Sequence, residues 1–211
     1  MNILIVDDHA VIHQGLRRIL EDAFEGTTFG DARGSQQAFD LIGREHWDVV
    51  ILDVELPGRG GLEVLKQIRT ERPKLPVIIF SMHSEEQFAV RAFKAGASGY
   101  LAKESAPSQL VQAIRKVIGG GRYLSQDLAE KLAAGLDADL SRPPHEILSD
   151  REFEVLRMIA AGKTTTEIAD ELSLSVKTVS TYRTRILEKL HMKASAELIR
   201  YAVNHGLDTV N

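Results

Sequence analysis

The sequence predicts a two-part protein, in which an open, doubly wound α/β domain precedes a small all-α domain. Short β-branched apolar runs alternate with segments of helical spacing over about the first 122 residues. A segment with two adjacent prolines, Pro143 and Pro144, interrupts this pattern, and the apolar spacing beyond it is helical throughout. These observations predict a first domain at residues 1–122, a linker at 123–147 and a second domain at 148–211.

Five apolar runs of the first domain are predicted strands. The runs at 3–6, 49–52 and 77–80 are continuously apolar, as strands buried on both faces should be, whereas those at 27–31 and 99–102 are weaker. Alternation with five helices implies right-handed crossovers and a parallel sheet covered on both faces. The apolar stripes of three of these helices are Ile12, Leu16, Ile19 and Ala23; Leu62, Leu65 and Ile68; and Leu110, Ile114 and Val117.

Four short helices are predicted after residue 148. Capping boxes begin at Ser149 and at Thr164, each with a glutamate three residues later. Ser175 and Ser195 are the predicted N-caps of two more helices, and Gly206 ends the last one. Residues 164–190 therefore form a helix, a short turn and a second helix.

Composition and charge exclude several classes of protein. The 211 residues include no cysteine, which excludes a disulfide framework, a thiolate nucleophile and a cysteine-bound zinc. The first apolar run is too short to span a bilayer and has no basic segment before it, so we expect a cytoplasmic protein without a membrane partner. The net charge is −4, yet residues 175–193 hold five basic side chains against Glu188 alone.

Carboxylates follow two of the strongest predicted strands. Asp7 and Asp8 come directly after the first strand, and Asp53 follows the third. Because open α/β sheets bind ligands at the carboxyl ends of their strands, these groups converge if the first and third strands are neighbours. We expect such a cluster to be stable only with a cation, and an oxygen-rich site with few protein ligands suits Mg²⁺.

Ser81 and Lys103 follow the fourth and fifth strands. A hydroxyl and an ammonium beside an acidic cluster would bind an anion that arrives with the metal, and the obvious anion is a phosphoryl group. Asp53 would then act as a nucleophile that forms an aspartyl phosphate, while Mg²⁺ and Lys103 neutralise charge on the transferred group. Each of these residues, taken alone, is more simply explained as a helix or loop cap or as a surface charge. The prediction therefore depends on their occurring together at the ends of four strands.

Three histidines of this domain are not part of the predicted site. His9, His13 and His83 show no metal-ligand spacing, and we expect them at the surface or at the edge of the domain.

The segments LIVDDH, VVILDVELPGRGG, VIIFSMHSE and GASGYLAKE resemble the signature segments of two-component response-regulator receiver domains, in order and spacing over roughly the first 120 residues. The resemblance implies a flavodoxin-like five-stranded sheet and a phosphoacceptor that receives its phosphate from a cognate histidine kinase. The residue roles that it implies are phosphorylation at Asp53; Mg²⁺ binding by Asp8, Asp53 and the backbone carbonyl of Glu55, with Asp7 assisting through water; switching by Ser81 and Tyr100; and phosphoryl binding by Lys103.

The second helix of the helix-turn-helix, residues 176–190, has two distinct sides. Val179, Ile186 and Leu190 cluster on one side, with Tyr182 at its edge. A helix that is apolar on one side and carries Lys, Arg, Ser and Thr on the other suits a DNA major groove, although a solvated face is the ordinary alternative. The residues of the polar side are Lys177, Ser180, Thr181, Thr184 and Arg185.

Most of residues 148–200 resemble the LuxR-type helix-turn-helix output domain, and the two-part arrangement resembles the NarL/FixJ class of transcriptional regulators. The resemblance implies double-stranded promoter DNA as a partner. The last helix, 196–205, either caps the small core or pairs two copies in a homodimer that forms on phosphorylation or on DNA. The implied contacts are Ser180, Thr181 and Thr184 with base edges, and Lys177, Arg185 and Lys189 with phosphates.

These patterns favour a phosphorylation-controlled transcriptional regulator that is not an enzyme. One alternative is a Mg²⁺-dependent phosphohydrolase with an aspartyl-phosphate intermediate. Such enzymes of the haloacid dehalogenase type carry the motif Asp-x-Asp after the strand, whereas this chain has Asp53-Val54-Glu55. Another is an interaction-only regulator whose helical domain binds protein.

Overall fold

In a computed structural model the chain forms two compact units, Met1–Leu132 and Ala133–Asn211. The structure describes residues 1–57, 59–82, 85–105, 107–125, 129 and 143–207, and for 85–87 it describes the backbone alone. Most of the predicted linker, and His83, therefore lie outside the described residues. Within the described ranges, no helix is long and apolar enough to cross a membrane.

The first unit is built on a five-stranded parallel sheet of order β2-β1-β3-β4-β5, which confirms the doubly wound fold and the adjacency of the first and third strands. Each predicted strand agrees with the observed one to within one residue at either end. The strands are β1 (Asn2–Val6), β2 (Thr28–Ala32), β3 (Val49–Leu52), β4 (Val77–Ser81) and β5 (Gly99–Ala102), and the helices are α1 (Ala10–Ala23), α2 (Ser35–Arg44), α3 (Gly61–Glu71), α4 (Glu85–Lys94) and α5 (Pro107–Ile118).

The three inner strands carry the core. Apart from Asn2, every residue of β1, β3 and β4 is buried, because helices cover both faces of the sheet. Side chains alternate between the two faces, so Ile3 and Ile5 belong to one apolar cluster with the stripes of α1 and α5. This packing holds the carboxyl ends of β1, β3 and β4 at one edge of the sheet.

The packed core of the first unit extends past the predicted boundary at residue 122. Tyr123 is 9% exposed and lies in the same apolar cluster as Val117. Its N–H donates to the Ser98 carbonyl at 2.9 Å, and it forms a parallel bridge with Gly99 beside β5. The first residue of the predicted linker thus packs with the sheet.

The second unit contains, among its described residues, a 3₁₀ turn at Pro144–Ile147 and the helices α6 (Asp150–Ala160), α7 (Thr165–Glu171), α8 (Val176–Lys189) and α9 (Ser195–Asn204). Helix α6 contacts both α8 and α9, and α7 contacts α8. The 3₁₀ turn lies where the paired prolines predicted extended backbone. Pro144 fits there because the first position of a helical turn needs no N–H donor.

The predicted helix ends are confirmed except at one position. Both capping boxes form, at Ser149 and at Thr164, and the hydroxyl of Ser175 accepts from the N–H of Thr178. Gly206, with φ 64°, follows the end of α9. The prediction for Ser195 was wrong, because Ser195 is the first residue of α9 and its N-cap, Ala194, makes no side-chain hydrogen bond.

Candidate functional site

The carboxyl edge of the sheet brings the predicted acidic residues together. Val6 lies opposite Leu52 in the β1–β3 pairing, so the chain leaves the two strands side by side at Asp7 and Asp53. One ligand atom from each of Asp7, Asp8, His9 and Asp53 lies within 4.8 Å of the others. The Asp7 and Asp53 residues are each 2% exposed, whereas Asp8 and His9 face solvent. The pocket therefore has a buried floor and an exposed rim.

Lys103 lies between the two buried carboxylates. Its Nζ is 2.7 Å from Asp7 Oδ2 and 2.7 Å from Asp53 Oδ2. Burial alone would lower the pKa of Lys103, but hydrogen bonds and charge from Asp53 and Asp7 outweigh it and raise that pKa. The cluster was expected to be stable only with a cation, and the protein supplies one of its own in the ammonium of Lys103.

Burial raises the pKa of the Asp53 carboxyl to about 7, and the nearby charge of Asp7 acts in the same direction. Lys103 and the N–H of Glu55 act in the opposite direction, and this N–H donates to Asp53 Oδ1 at 3.2 Å. Near neutral pH and without a further cation, the Asp53 carboxyl therefore lies close to the midpoint of its titration.

The start of α3 approaches the backbone of Asp53 closely. The N–H of Gly61 donates to the Val54 carbonyl at 2.8 Å, and a Cβ atom at Gly61 would lie 2.0 Å from the Asp53 carbonyl oxygen. Only glycine permits this approach. The second glycine of the Gly60-Gly61 pair therefore helps to place Asp53.

His13 is buried and contacts the backbone of Asp7, so the expectation that it lies at the surface or at the edge of the domain was wrong. It is 6% exposed; its Nε2–H donates to the Asp7 carbonyl at 2.7 Å, and its Nδ1 is 2.8 Å from Asp31 Oδ1. Burial acts to raise the pKa of Asp31, but hydrogen bonds from His13 and Arg17 outweigh it and leave that pKa below its usual 3.8. The sequence signal for this burial is the apolar stripe itself, because His13 stands three residues before Leu16 on the same side of α1.

Ser81 and Tyr100 are both fully buried, at different depths in the sheet. Ser81 ends β4 opposite Ala102, and its carbonyl accepts from the N–H of Lys103 at 2.8 Å. Tyr100 lies opposite Ile79, two residues before the end of β5. Ser81 thus lies buried at the carboxyl edge of the sheet, while the ring of Tyr100 occupies the interior.

Helix α8 presents the predicted polar side to solvent. Lys177, Thr181, Thr184 and Arg185 are exposed, and Ser180 is half-buried. Val179 and Ile186 are buried, as predicted for the opposite side. A shallow groove of about 290 Å³ runs along the first turns of this helix; it is lined by Ser175, Lys177, Thr178, Thr181, Tyr182 and Arg185.

Lys189 has a partner inside the second unit. Its Nζ is 2.6 Å from Glu152 Oε2, which also accepts from the N–H of Ser149 at 2.7 Å in the capping box of α6. Burial acts to raise the pKa of Glu152, but Lys189 and Ser149 outweigh it and leave that pKa lowered. The pair joins the end of α8 to the start of α6, so a DNA contact by Lys189, which stays a prediction, would require its ammonium to be shared.

Comparison with known proteins assigns a family to each unit. The family model of the response regulator receiver domain matches residues 3–115, and the model of bacterial regulatory proteins of the luxR family matches residues 146–202. Both matches fall on the units that the fold separates, and the first spans more than half of the chain.

Two response regulators are similar to this chain over nearly its whole length. The response regulator UvrY of Escherichia coli is 37% identical over 208 residues, which cover 98% of this chain and 95% of UvrY. The response regulator GacA of Pseudomonas aeruginosa is 37% identical over 98% of this chain and 97% of its own. Among solved structures, RcsB from Salmonella enterica serovar Typhimurium, bound to promoter rprA in the presence of phosphomimetic BeF3−, is similar with a TM-score of 0.66 and 29% identity over 100% of both chains.

Proposed function

The chain belongs to the response regulators, with a receiver domain followed by a LuxR-type DNA-binding domain, and we propose that phosphorylation of Asp53 controls its binding to promoter DNA. The phosphate donor is a cognate histidine kinase of a two-component system. We assign the receiver to residues 1–122, the linker to 123–147 and the DNA-binding domain to 148–211, with Tyr123 packed on the receiver.

One observation carries the assignment of Asp53. At the carboxyl edge of the sheet, a single ammonium lies 2.7 Å from both buried carboxylates of the pocket. A phosphoryl group on Asp53 would place its oxygens beside this ammonium, so Lys103 can exchange a carboxylate oxygen for a phosphoryl oxygen with little movement. Asp53 would provide the attacking oxygen, forming a bond to phosphorus as the bond from phosphorus to the histidine nitrogen of the kinase breaks.

The donors of the pocket fit Mg²⁺. Asp8, Asp53 and the carbonyl of Glu55 would bind it directly and Asp7 through water, because Mg²⁺ prefers oxygen ligands and retains several waters. When bound, Mg²⁺ would neutralise charge on the transferred phosphoryl group. The exposed position of Asp8 leaves the rim open to solvent, from which both the ion and the phosphate donor would arrive.

Ser81 and Tyr100 would carry the switch. The hydroxyl of Ser81 would turn toward the phosphoryl group, and Tyr100, whose ring is fully buried in this structure, would exchange between this position and an outward one. A phosphoryl group can only shift such an equilibrium by its differential interaction with the two states. The shift would alter the surface around residues 82–105.

Helix α8 would enter the major groove of promoter DNA. Its exposed basic and hydroxyl side chains support this role. Helix α9 exposes Ile199 and Val203, one turn apart, and would pair two copies in a homodimer on DNA or on phosphorylation. The proposed contacts are Ser180, Thr181 and Thr184 with base edges, and Lys177, Arg185 and Lys189 with phosphates.

Two further parts of the proposal follow from promoter binding. A regulator of promoters acts where the chromosome lies, so we place the protein in the cytoplasm. The chain is not an enzyme in this proposal, because its aspartyl phosphate is a signal rather than an intermediate of turnover. The sequence Asp53-Val54-Glu55 departs from the Asp-x-Asp of the competing phosphohydrolase, and no turnover of generic phosphate esters is expected.

The test is phosphotransfer from a small acyl phosphate donor or from a histidine kinase, with Mg²⁺, followed by intact-protein mass measurement. We expect wild type to gain one phosphoryl group and Asp53→Asn to gain none. The matched control is Asp48→Asn, at the opposite end of the same strand, where the carboxylate accepts from the N–H of Asn2 at 2.7 Å. An unlabelled wild type, or equal labelling of Asp53→Asn, would exclude the proposed function.

A further inference from the structure

The hydroxyl groups of Thr181 and Thr184 already donate hydrogen bonds within α8. Thr181 Oγ1 donates to the Lys177 carbonyl at 2.9 Å, and Thr184 Oγ1 donates to the Ser180 carbonyl at 3.1 Å. A carbonyl can only accept, so each hydroxyl proton is committed to the backbone and each oxygen keeps its lone pairs for an outside donor. Because both residues are exposed, they present hydrogen-bond acceptors on the polar side of α8.

Glu188 extends this line of acceptors. It lies four residues after Thr184 and seven after Thr181, so the three side chains share one side of the helix. Glu188 is exposed, and among the described residues its carboxylate has no basic partner within ion-pair distance. An ionised carboxylate accepts hydrogen bonds and cannot donate them. Thr181, Thr184 and Glu188 are called the acceptor stripe of α8 below.

Two cations border the acceptor stripe. Lys177 and Arg185 lie four residues before and four residues after Thr181, and all three line the shallow groove of α8. Cations in these positions suit DNA phosphates, whereas acceptors between them suit the base edges of the major groove. The carboxylate of Glu188 is repelled by phosphates, so its place on this side is favourable only where a base donates to it.

The four bases differ in what they present in the major groove. Adenine presents its N6 amino group and cytosine its N4 amino group, whereas guanine presents the acceptors N7 and O6, and thymine presents O4 and a methyl group. An acceptor that faces another acceptor loses its hydrogen bond with water and gains none with the base. We propose that the acceptor stripe selects adenine or cytosine over guanine and thymine on the DNA strand that it faces. The inference rests on the proposed function, since it concerns which promoter DNA α8 recognises.

The test begins with duplexes that the full chain selects from a randomised pool, with and without an acyl phosphate donor. In a selected duplex, purine then replaces one adenine, or 2-pyrimidinone replaces one cytosine, which removes a single amino group. At a contacted position we expect this deletion to weaken wild-type binding about fivefold or more, and binding by Thr184→Val less than about twofold. Valine keeps the shape of threonine without its oxygen. Thr184→Ser keeps the oxygen and should respond as wild type.

The matched control is Thr70→Val in α3 of the receiver. Thr70 is exposed and Thr70 Oγ1 donates to the Lys66 carbonyl at 3.1 Å, so it makes the same bond away from the DNA-binding helix. This variant should respond to amino deletion as wild type does. Glu188→Ala should bind unrelated DNA more tightly, because it removes a negative charge, and should accept guanine or thymine at one more position.

The outcomes separate the inference from the function on which it rests. If amino deletions weaken wild type at no position, or weaken wild type, Thr181→Val, Thr184→Val and Glu188→Ala equally at every position, the acceptor stripe does not select bases and promoter binding is unaffected. If wild type enriches no duplex from the pool and no genomic fragment in either phosphorylation state, the inference and the proposed function both fail.

Discussion

At Asp53 the folded chain holds a carboxyl group whose ionised form is disfavoured by burial, so that its pKa is raised from 3.8 to about 7. Between pH 3.8 and about pH 7, the Asp53 carboxyl is therefore more often protonated in the folded state than in the unfolded chain. The contribution of this group to the free energy of unfolding is fully present below pH 3.8 and is lost as the pH rises through about 7. Attack on phosphorus requires the ionised carboxylate, whereas burial in the folded state favours the protonated carboxyl.

Asp53→Asn should therefore stabilise the receiver in buffer without divalent ions, because it removes the buried charge. One pKa unit corresponds to about 1.4 kcal/mol, and the weakened contact with Lys103 offsets part of the gain. We expect the free energy of unfolding to rise by about 1–3 kcal/mol at about pH 8, and much less at about pH 5. Urea unfolding followed by the fluorescence of Trp47, the single tryptophan of the chain and buried in the first unit, measures this.

The same measurement with Mg²⁺ provides a control. Mg²⁺ binds the folded state, so it should stabilise wild type and narrow the difference from Asp53→Asn. Asp48→Asn should follow wild type across the pH range. A variant Asp53→Asn that is no more stable than wild type at about pH 8 would show that burial does not disfavour this carboxylate.

Residue types at strand ends were enough to predict the acidic pocket, but not its internal pairing. Asp7 and Asp53 could be placed together once β1 and β3 were assumed to be neighbours, since parallel strands end at one edge. That Lys103 would lie between them depends on side-chain positions across three strands, which no local pattern encodes. His13 was missed because a histidine in an apolar stripe gives no composition signal, although its spacing to Leu16 was visible.

Among the elements, the strands were the most predictable because burial on both faces leaves a continuous apolar run. The 3₁₀ turn at Pro144–Ile147 was missed because it depends on a tertiary contact: the Tyr201 hydroxyl lies 2.9 Å from His145 Nδ1 and accepts from the His145 N–H. The N-cap of α9 was misplaced by one residue, since serine at either the cap or the first position satisfies the pattern. Tyr123 was assigned to the linker because a single buried residue outside a helix or strand does not produce a repeating apolar pattern.

Tyr123→Ala should destabilise the first unit, although the residue lies beyond the last helix of the receiver. The residue is 9% exposed and belongs to the core cluster, and truncating a buried aromatic side chain typically costs about 3–5 kcal/mol. We expect a loss of about 2–4 kcal/mol in the unfolding of the receiver, followed by Trp47 fluorescence, because the site lies at a sheet edge. Tyr123→Phe keeps the ring and should cost less than about 1.5 kcal/mol. Equal stability of Tyr123→Ala and wild type would place the boundary at 122 after all.

For the whole molecule, the distribution of charge matters more than its sum. Residues 1–147 carry the entire net charge of −4, whereas residues 148–211 hold nine basic and nine acidic groups. Within the second unit the basic groups concentrate along 175–193. Binding to DNA would therefore depend on the basic side chains of this segment rather than on attraction to the whole protein, and the acidic receiver would oppose nonspecific binding.

This focus makes the salt dependence of DNA binding a direct test of α8. Each phosphate contact releases counterions, so losing one should reduce the slope of log affinity against log salt by about one. We expect Lys177→Ala and Arg185→Ala each to weaken binding across all sequences and to lower the slope by about that amount. The measurement is fluorescence anisotropy of the full chain on a genomic fragment recovered by DNA capture, over a salt series.

Lys116→Ala, at an exposed position on α5 of the receiver, is the matched control and should leave the slope unchanged. Lys189→Met separates two roles for one ammonium. If Lys189→Met reduces the salt slope as Lys177→Ala does, the predicted phosphate contact is supported. If the slope is unchanged and the second unit is less stable, Lys189 acts only through its 2.6 Å ion pair with Glu152. If neither Lys177→Ala nor Arg185→Ala alters the slope, the polar side of α8 is a solvated face, and an interaction-only regulator becomes the better account.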